Sequence, residues 1–143
     1  MKINRRGSAQ WQGGIKDGKG ALSTESGALK AYPYGFASRF EGLPGTNPEE
    51  LLAAAHAGCF TMALSLILGE AKLTAEKMET SAQVTLEQLE GGFAITAVHL
   101  KLVAKIPGAD QTTFDKLTGM AKAGCPVSKL FKANITLEAT LLA

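Results

Sequence analysis

The sequence contains little cysteine, little net charge and few aromatic side chains. Its two cysteines, Cys59 and Cys125, are too few for the disulfide framework of a small secreted protein. Its 15 basic and 13 acidic residues are scattered and leave a formal charge of +2, which predicts neither nucleic acid nor an anionic membrane as a partner. Hydrophobic residues make up 45% of the chain, as in an ordinary globular protein. We therefore expect a single domain over residues 1–143.

The chain also lacks the usual signals for export or membrane insertion. The basic residues near the N-terminus are not followed by the apolar run of a signal peptide. Alanines, His56 and Gly58 lower the hydropathy of the uncharged stretch Leu51–Leu68, and Glu50 and Glu70 lie close to its two ends. We interpret it as a core helix and expect a cytoplasmic protein. Because that compartment keeps thiols reduced, the two cysteines are expected to be either packed thiols or redox-active ones.

Hydrophobic periodicity predicts an α+β fold. The first third is typical of a β-hairpin, with strands at Ala9–Ile15 and Gly20–Ser23 around a turn in which Asp17-Gly18 suits positive backbone angles. The aromatic segment Ala31–Pro44 is interpreted as an irregular strand whose rings fill the core. Further along, the pattern predicts a long hairpin with alternation over 82–86 and over Phe93–Ile106, a helix from Asp110 to about Lys122, a turn or short helix from Cys125 to Lys132, and a strand over Ile135–Leu141.

The start of a long central helix is marked clearly. Asn47 is a good N-cap, Pro48 suits the first helical position, and Glu50 completes a capping box. From there to about Gly69 the helix is apolar nearly all round. A helix of this kind must be covered on every side. We expect a sheet on one side and a second subunit on the other, and hence a homodimer.

The two cysteines differ in their local setting. Cys59 lies in the middle of the central helix on the face of Met62 and Leu66, where an apolar site raises the pKa of a thiol. Cys125 precedes Pro126 at the start of a short helix, where unpaired amides favour the thiolate. The residues alone therefore favour Cys125 as the reactive thiol. Two cysteines that only pack in the core remain the alternative.

Cys59 would need a nearby cation to act as a nucleophile, and Arg39 is the candidate. Lowering a thiol pKa from about 8.5 to about 6.5 takes roughly 2.7 kcal/mol. A guanidinium about 4 Å away offers up to about 4 kcal/mol before desolvation is subtracted. Glu49 could hold that guanidinium in a forked geometry, or it could simply stabilise the start of the helix.

His56 raises the possibility of a metal site, because it lies three residues before Cys59 on the same helix. A zinc site needs about four ligands, and Cys125 and His99 show no ligand spacing. We expect no metal and no cofactor. A zinc-dependent hydrolase or sensor, and a ligand-binding protein without catalysis, are the competing hypotheses.

Three stretches of the sequence resemble one family. RFEGLPGTNPEELLAAAHAGCFTMALS, KAGCPVSK and AQWQGGIKDGKGALSTESG are similar to the OsmC/Ohr family, most of all to its osmotically inducible OsmC branch. The resemblance extends along the whole chain. It implies an intertwined α+β homodimer whose long central helix carries Cys59, with each active site at the subunit interface. It also implies a thiol-dependent peroxidase of oxidative or osmotic stress defence, which reduces organic hydroperoxides and, less efficiently, hydrogen peroxide.

The resemblance also implies a role for each candidate residue. Cys59 would be the peroxidatic thiol and Cys125 the resolving thiol that forms a disulfide with it. Arg39 would stabilise the Cys59 thiolate, and Glu49 would be the carboxylate partner of Arg39. A dithiol reductant, such as a lipoyl-bearing protein, would reopen the disulfide. This assignment reverses the ranking that the local sequence gives to the two cysteines.

Overall fold

The N-terminal residues form a small antiparallel sheet in a computed structural model that describes residues 1–143. Its strands are β1 (Gly7–Gln12), β2 (Lys19–Thr24) and β3 (Tyr32–Tyr34), in the order β1-β2-β3. The predicted hairpin is confirmed, but the expected angles of its turn are wrong. Because Gln12 pairs with Lys19, the loop comprises residues 13–18, and the positive φ of 92° falls at Gly13 rather than at Gly18.

The aromatic segment that follows is not the irregular strand that we expected. After β3 it forms a short helix, α1 (Phe36–Phe40). The Ser38 hydroxyl accepts the Gly35 N–H at 2.9 Å and donates to the Thr46 carbonyl at 2.8 Å, which fixes this turn of helix. Phe40 is exposed, so the rings of the segment do not all fill a core.

The central helix, α2 (Pro48–Glu70), begins as predicted and ends within one residue of the expected position. The Glu50 N–H donates to Asn47 Oδ1 at 2.8 Å, which confirms the N-cap. The Glu50 carboxylate accepts the Thr46 hydroxyl at 2.6 Å. By length and composition α2 could cross a membrane, a property that it shares with the core helices of soluble proteins.

The rest of the chain forms a second sheet with two helices. The hairpin strands are β4 (Lys77–Leu89) and β5 (Gly92–Lys105), and the helices α3 (Gln111–Gly124) and α4 (Pro126–Leu130) lead to β6 (Asn134–Leu142). β4 pairs with β5 in antiparallel orientation, whereas β6 pairs with β5 in parallel orientation. The parallel pairing is possible because the connection through α3 and α4 brings the chain back to the end of the sheet at which β5 begins. These elements match the prediction, and the α+β fold is confirmed.

The core lies between one face of β5 and one face of α2. The alternating residues predicted for β5 are fully or almost fully buried, and so is a row of α2 residues spaced by four. Burying each large apolar side chain of this kind stabilises the fold by about 1.5–3 kcal/mol. The opposite row of α2 is exposed: Met62 is 78% and Leu66 67% accessible. The buried residues are Val98, Leu100, Leu102 and Ala104 on β5 with Ile106 just after it, His56, Phe60, Leu64 and Leu68 on α2, and Phe114, Leu117 and Ala121 on α3, which packs against the same core.

Contacts between Cα atoms group the residues into two compact units, Met1–Leu51 and Leu52–Ala143. The first unit contains Arg39 and Glu49, and the second contains both cysteines. A single domain over residues 1–143 stays a prediction.

Candidate active site

The second unit brings Cys59 and Cys125 together. Cys59 lies on α2, while Cys125 immediately precedes α4, where Pro126 occupies the first helical position. Both are free thiols, and they lie close enough for each to shift the pKa of the other. Cys125 is completely buried, whereas Cys59 is partly exposed. The two sulfurs are therefore neighbours, and only one of them is open to a molecule arriving from outside.

Hydrogen bonds hold Cys125 in a setting that favours its thiolate. The Ser128 N–H donates to the Cys125 Sγ at 3.5 Å, and the Ser128 hydroxyl donates to the same sulfur at 3.6 Å. Burial alone would raise the pKa of Cys125. The hydrogen bonds from Cys59, Ser128 and the Val127 N–H outweigh it and hold that pKa below its ordinary value.

The pKa of Cys59 is shifted in the opposite direction, above its ordinary value. Burial on the apolar helix raises the pKa of Cys59, and the neighbouring Cys125 raises it further, while a hydrogen bond with the Val127 backbone opposes the shift. This is the direction that the sequence predicts for a thiol in the middle of an apolar helix. Of the two reduced thiols, Cys125 is thus the one that ionises more readily, and Cys59 needs an external cation to do so.

An apolar cavity of about 670 Å³ opens beside Cys59. Its wall on α2 comes mainly from the exposed row of the helix, and its other wall from the segment around Cys125. A cavity with such a lining accommodates an alkyl or aryl group better than a strongly hydrated molecule. The lining residues are Cys59, Met62, Ala63, Ser65, Leu66, Ile67, Gly124 and Pro126.

Arg39 and Glu49 form a forked ion pair in the first unit. Arg39 Nη2 lies 2.7 Å and Nε 3.1 Å from Glu49 Oε1, and Nε also lies 3.3 Å from Oε2. The guanidinium also lies over the ring of Phe40, 5.4 Å from its centroid. Charge-assisted bonds from two nitrogens give the guanidinium a defined orientation while it remains partly exposed.

The sequence analysis missed one polar group, the pair His56 and Ser128. His56 Nε2 lies 2.7 Å from the Ser128 hydroxyl, and His56 is completely buried. The sequence suggests His56 only as a metal ligand. In the structure, no group of three or more His, Cys, Asp or Glu side chains is arranged to hold a metal. The available signal was that His56 lies one turn before Phe60 on the buried row of α2, where a polar residue needs a partner.

Comparisons with known proteins agree with this architecture. The family model described as OsmC-like protein matches residues 40–140. The chain is 56% identical over 138 residues to the peroxiredoxin OsmC of Escherichia coli, covering 96% of each protein. It is 35% identical over 101 residues to an organic hydroperoxide resistance protein of Xanthomonas axonopodis pv. citri, covering 70% of this chain and 69% of that protein. The crystal structure of the organic hydroperoxide resistance protein OhrB of Bacillus subtilis superposes with a TM-score of 0.67 at 28% identity, covering 96% of this chain and 98% of that one.

Proposed function

Since this chain belongs to the OsmC-like protein family, we propose that it is a cysteine-based peroxidase that reduces organic hydroperoxides to alcohols. The names of the two relatives, a peroxiredoxin and an organic hydroperoxide resistance protein, support this activity. The observation that carries the proposal is a partly exposed thiol at the wall of an apolar cavity, beside a second thiol that is fully buried.

In the first step, Cys59 attacks the hydroperoxide. Its thiolate sulfur bonds to the outer peroxide oxygen, the O–O bond breaks, and the alkoxide takes a proton and leaves as the alcohol. Cys59 is oxidised to a sulfenic acid. The exposure of Cys59 supports this role, because a peroxide cannot reach the buried Cys125 without a rearrangement. Arg39, oriented by Glu49, is proposed for the role that the family resemblance implies, which is to stabilise the Cys59 thiolate and the negative charge of the departing alkoxide.

In the second step, the Cys125 sulfur attacks the sulfur of the Cys59 sulfenic acid. An S–S bond forms, the S–O bond breaks, and the hydroxide leaves as water with the proton that Cys125 gives up. An external dithiol then reduces the disulfide by thiol–disulfide exchange, and we propose a lipoyl-bearing protein as the donor.

A second copy of the chain completes the molecule in this proposal. The exposed row of α2 containing Met62 and Leu66 leaves apolar area that a homodimer interface would cover. Both side chains also line the cavity beside Cys59, so a partner subunit would close that cavity and exclude water. We therefore expect a homodimer with a preference for organic hydroperoxides over hydrogen peroxide, acting in the cytoplasm during oxidative or osmotic stress.

Titration of free thiols tests the proposal. The reduced protein is treated with one equivalent of cumene hydroperoxide, and its thiols are counted under denaturing conditions with a disulfide reagent. A peroxidase of this type loses both thiols together and releases one equivalent of alcohol. If both thiols survive, the protein is a binding protein with structural cysteines, and the proposed function is wrong.

A further inference from the structure

We propose that Ser128, oriented by His56, activates Cys125 for the disulfide-forming step. The proposal rests on the function given above and assigns roles to two residues that the two-cysteine mechanism leaves unused. Ser128 contacts the reacting sulfur and is a catalytic residue in this scheme. His56 acts only through Ser128 and is a positioning residue.

The three side chains form a continuous chain of hydrogen bonds. The distance from His56 Nε2 to Ser128 Oγ is 2.7 Å, and the distance from Ser128 Oγ to Cys125 Sγ is 3.6 Å. A hydroxyl has one hydrogen. With that hydrogen directed at the sulfur, the oxygen of Ser128 must accept the Nε2–H of His56. All three residues are buried, so water does not compete for these bonds.

The setting of His56 fits a fixed, neutral donor. Burial lowers the pKa of His56, which keeps its ring neutral at physiological pH. Nδ1 is buried and has no hydrogen-bond partner. An unprotonated Nδ1 leaves only a lone pair unsatisfied, which places the single ring hydrogen on Nε2, facing Ser128. The ring of Phe131, 5.4 Å away between centroids, packs against the imidazole and restricts its rotation.

This arrangement acts on the second step of the reaction. Two donors of Ser128, its N–H and its hydroxyl, converge on the sulfur that must carry negative charge as it attacks Cys59. The proton lost by Cys125 leaves with the hydroxide as water, so neither His56 nor Ser128 needs to accept it. His56 keeps the hydroxyl hydrogen directed at the sulfur. Without His56, the Ser128 hydroxyl is free to rotate away and the thiolate of Cys125 loses a donor.

The lifetime of the sulfenic acid tests the proposal in the full-length protein. Reduced protein is mixed with one equivalent of cumene hydroperoxide in the presence of dimedone, which traps sulfenic acids, and the adduct on Cys59 is measured by mass spectrometry. We expect His56→Leu and Ser128→Ala to form the disulfide about tenfold more slowly, so that the trapped fraction rises accordingly. His56→Gln keeps an N–H near the position of Nε2 and should restore disulfide formation to near the wild-type rate.

A control variant separates this effect from a general loosening of the core. Thr118→Val removes another buried hydroxyl, one that donates to the Asp115 carbonyl instead of to sulfur, and should trap no more dimedone than the wild type. If His56→Leu does not fold, as judged by circular dichroism, Ser128→Ala decides the question.

The outcomes distinguish failure of the inference from failure of the function. Wild-type trapping in both His56→Leu and Ser128→Ala overturns the inference and leaves the peroxidase intact. High trapping in His56→Gln, equal to that in His56→Leu, shows that His56 has only a structural role. A wild-type protein that keeps both thiols after peroxide overturns the proposed function itself.

Discussion

Arg39 and Glu49 are joined by two nitrogens of the guanidinium, with Nη2 2.7 Å and Nε 3.1 Å from one carboxylate oxygen. The Glu49 side chain is mostly buried, whereas that of Arg39 is 37% exposed. Because the mostly buried Glu49 carboxylate binds one side of the guanidinium, the guanidinium has a defined orientation. Its other side stays available to another group. In the proposed mechanism, this available part of the guanidinium interacts with the thiolate and the departing alkoxide.

We predict that Arg39→Met lowers kcat/KM for cumene hydroperoxide by about 10²–10³, the usual cost of removing one group that stabilises charge in a transition state. For Arg39→Lys we expect a kcat/KM between those of Arg39→Met and the wild type, because lysine keeps the charge but cannot make the two-nitrogen contact with the carboxylate. Initial rates with a thiol reductant in excess measure both. The matched control is Arg6→Met, which removes the arginine of another surface ion pair, with Glu25 at 3.7 Å. Equal losses in Arg6→Met and Arg39→Met would contradict the assignment.

The two cysteines are predicted to fail in different ways when each is replaced. Cys59→Ser should consume no peroxide, because no other thiol reaches the cavity. Cys125→Ser should consume one equivalent and then stop, since the sulfenic acid has no partner to resolve it. Mass spectrometry after excess peroxide should find Cys59 as a sulfenic or sulfinic acid in the second variant. Multiple turnovers by Cys59→Ser would instead assign the attacking role to Cys125, the thiol with the lower pKa.

The fold was largely predictable because its signals are local. Asn47 and Asp110 cap their helices as expected, and strict alternation from Val98 to Ile106 identified the buried face of β5. The segment around Arg39 was not predictable in the same way. Its short helix depends on the Ser38 hydroxyl reaching the Thr46 carbonyl, a contact that no periodicity reveals.

The site was predictable only in part, for a related reason. The opposite pKa shifts of Cys59 and Cys125 follow from local sequence, namely an apolar helix and the residues after Cys125. The link between His56 and Ser128 joins residues 72 positions apart, and sequence spacing carries no information about it. The histidine was visible as a polar residue on a buried row, but its partner was not.

Dimer formation is predicted to depend on the exposed row of α2. Met62→Glu or Leu66→Glu would bury an unpaired carboxylate in the interface, at a cost of several kcal/mol. Light scattering at micromolar concentration should show a dimer for the wild type and a monomer for either variant. Leu89→Glu is the control, because Leu89 is an exposed apolar residue at the end of β4, outside this row. A wild-type monomer, or dimeric Met62→Glu and Leu66→Glu proteins, would remove the argument that a partner covers this face.

The buried histidine is predicted to make the protein less stable in mild acid. Burial lowers the pKa of His56 from its ordinary value of 6.5, so the folded state stays neutral while the unfolded state takes up a proton below that value. The unfolded state then binds more protons, and the free energy of unfolding falls as the pH drops from the unfolded pKa towards the folded one.

Urea unfolding at about pH 7.5 and pH 5.5 should show that His56→Gln loses less stability than the wild type over this interval, by an amount on the order of 1 kcal/mol. His99→Gln, which replaces the exposed histidine bonded to Thr136, is the control for removing an imidazole from another part of the chain. Identical pH dependence in the wild type and His56→Gln would mean that the imidazole is protonated equally in both states, and that it is not held neutral by burial.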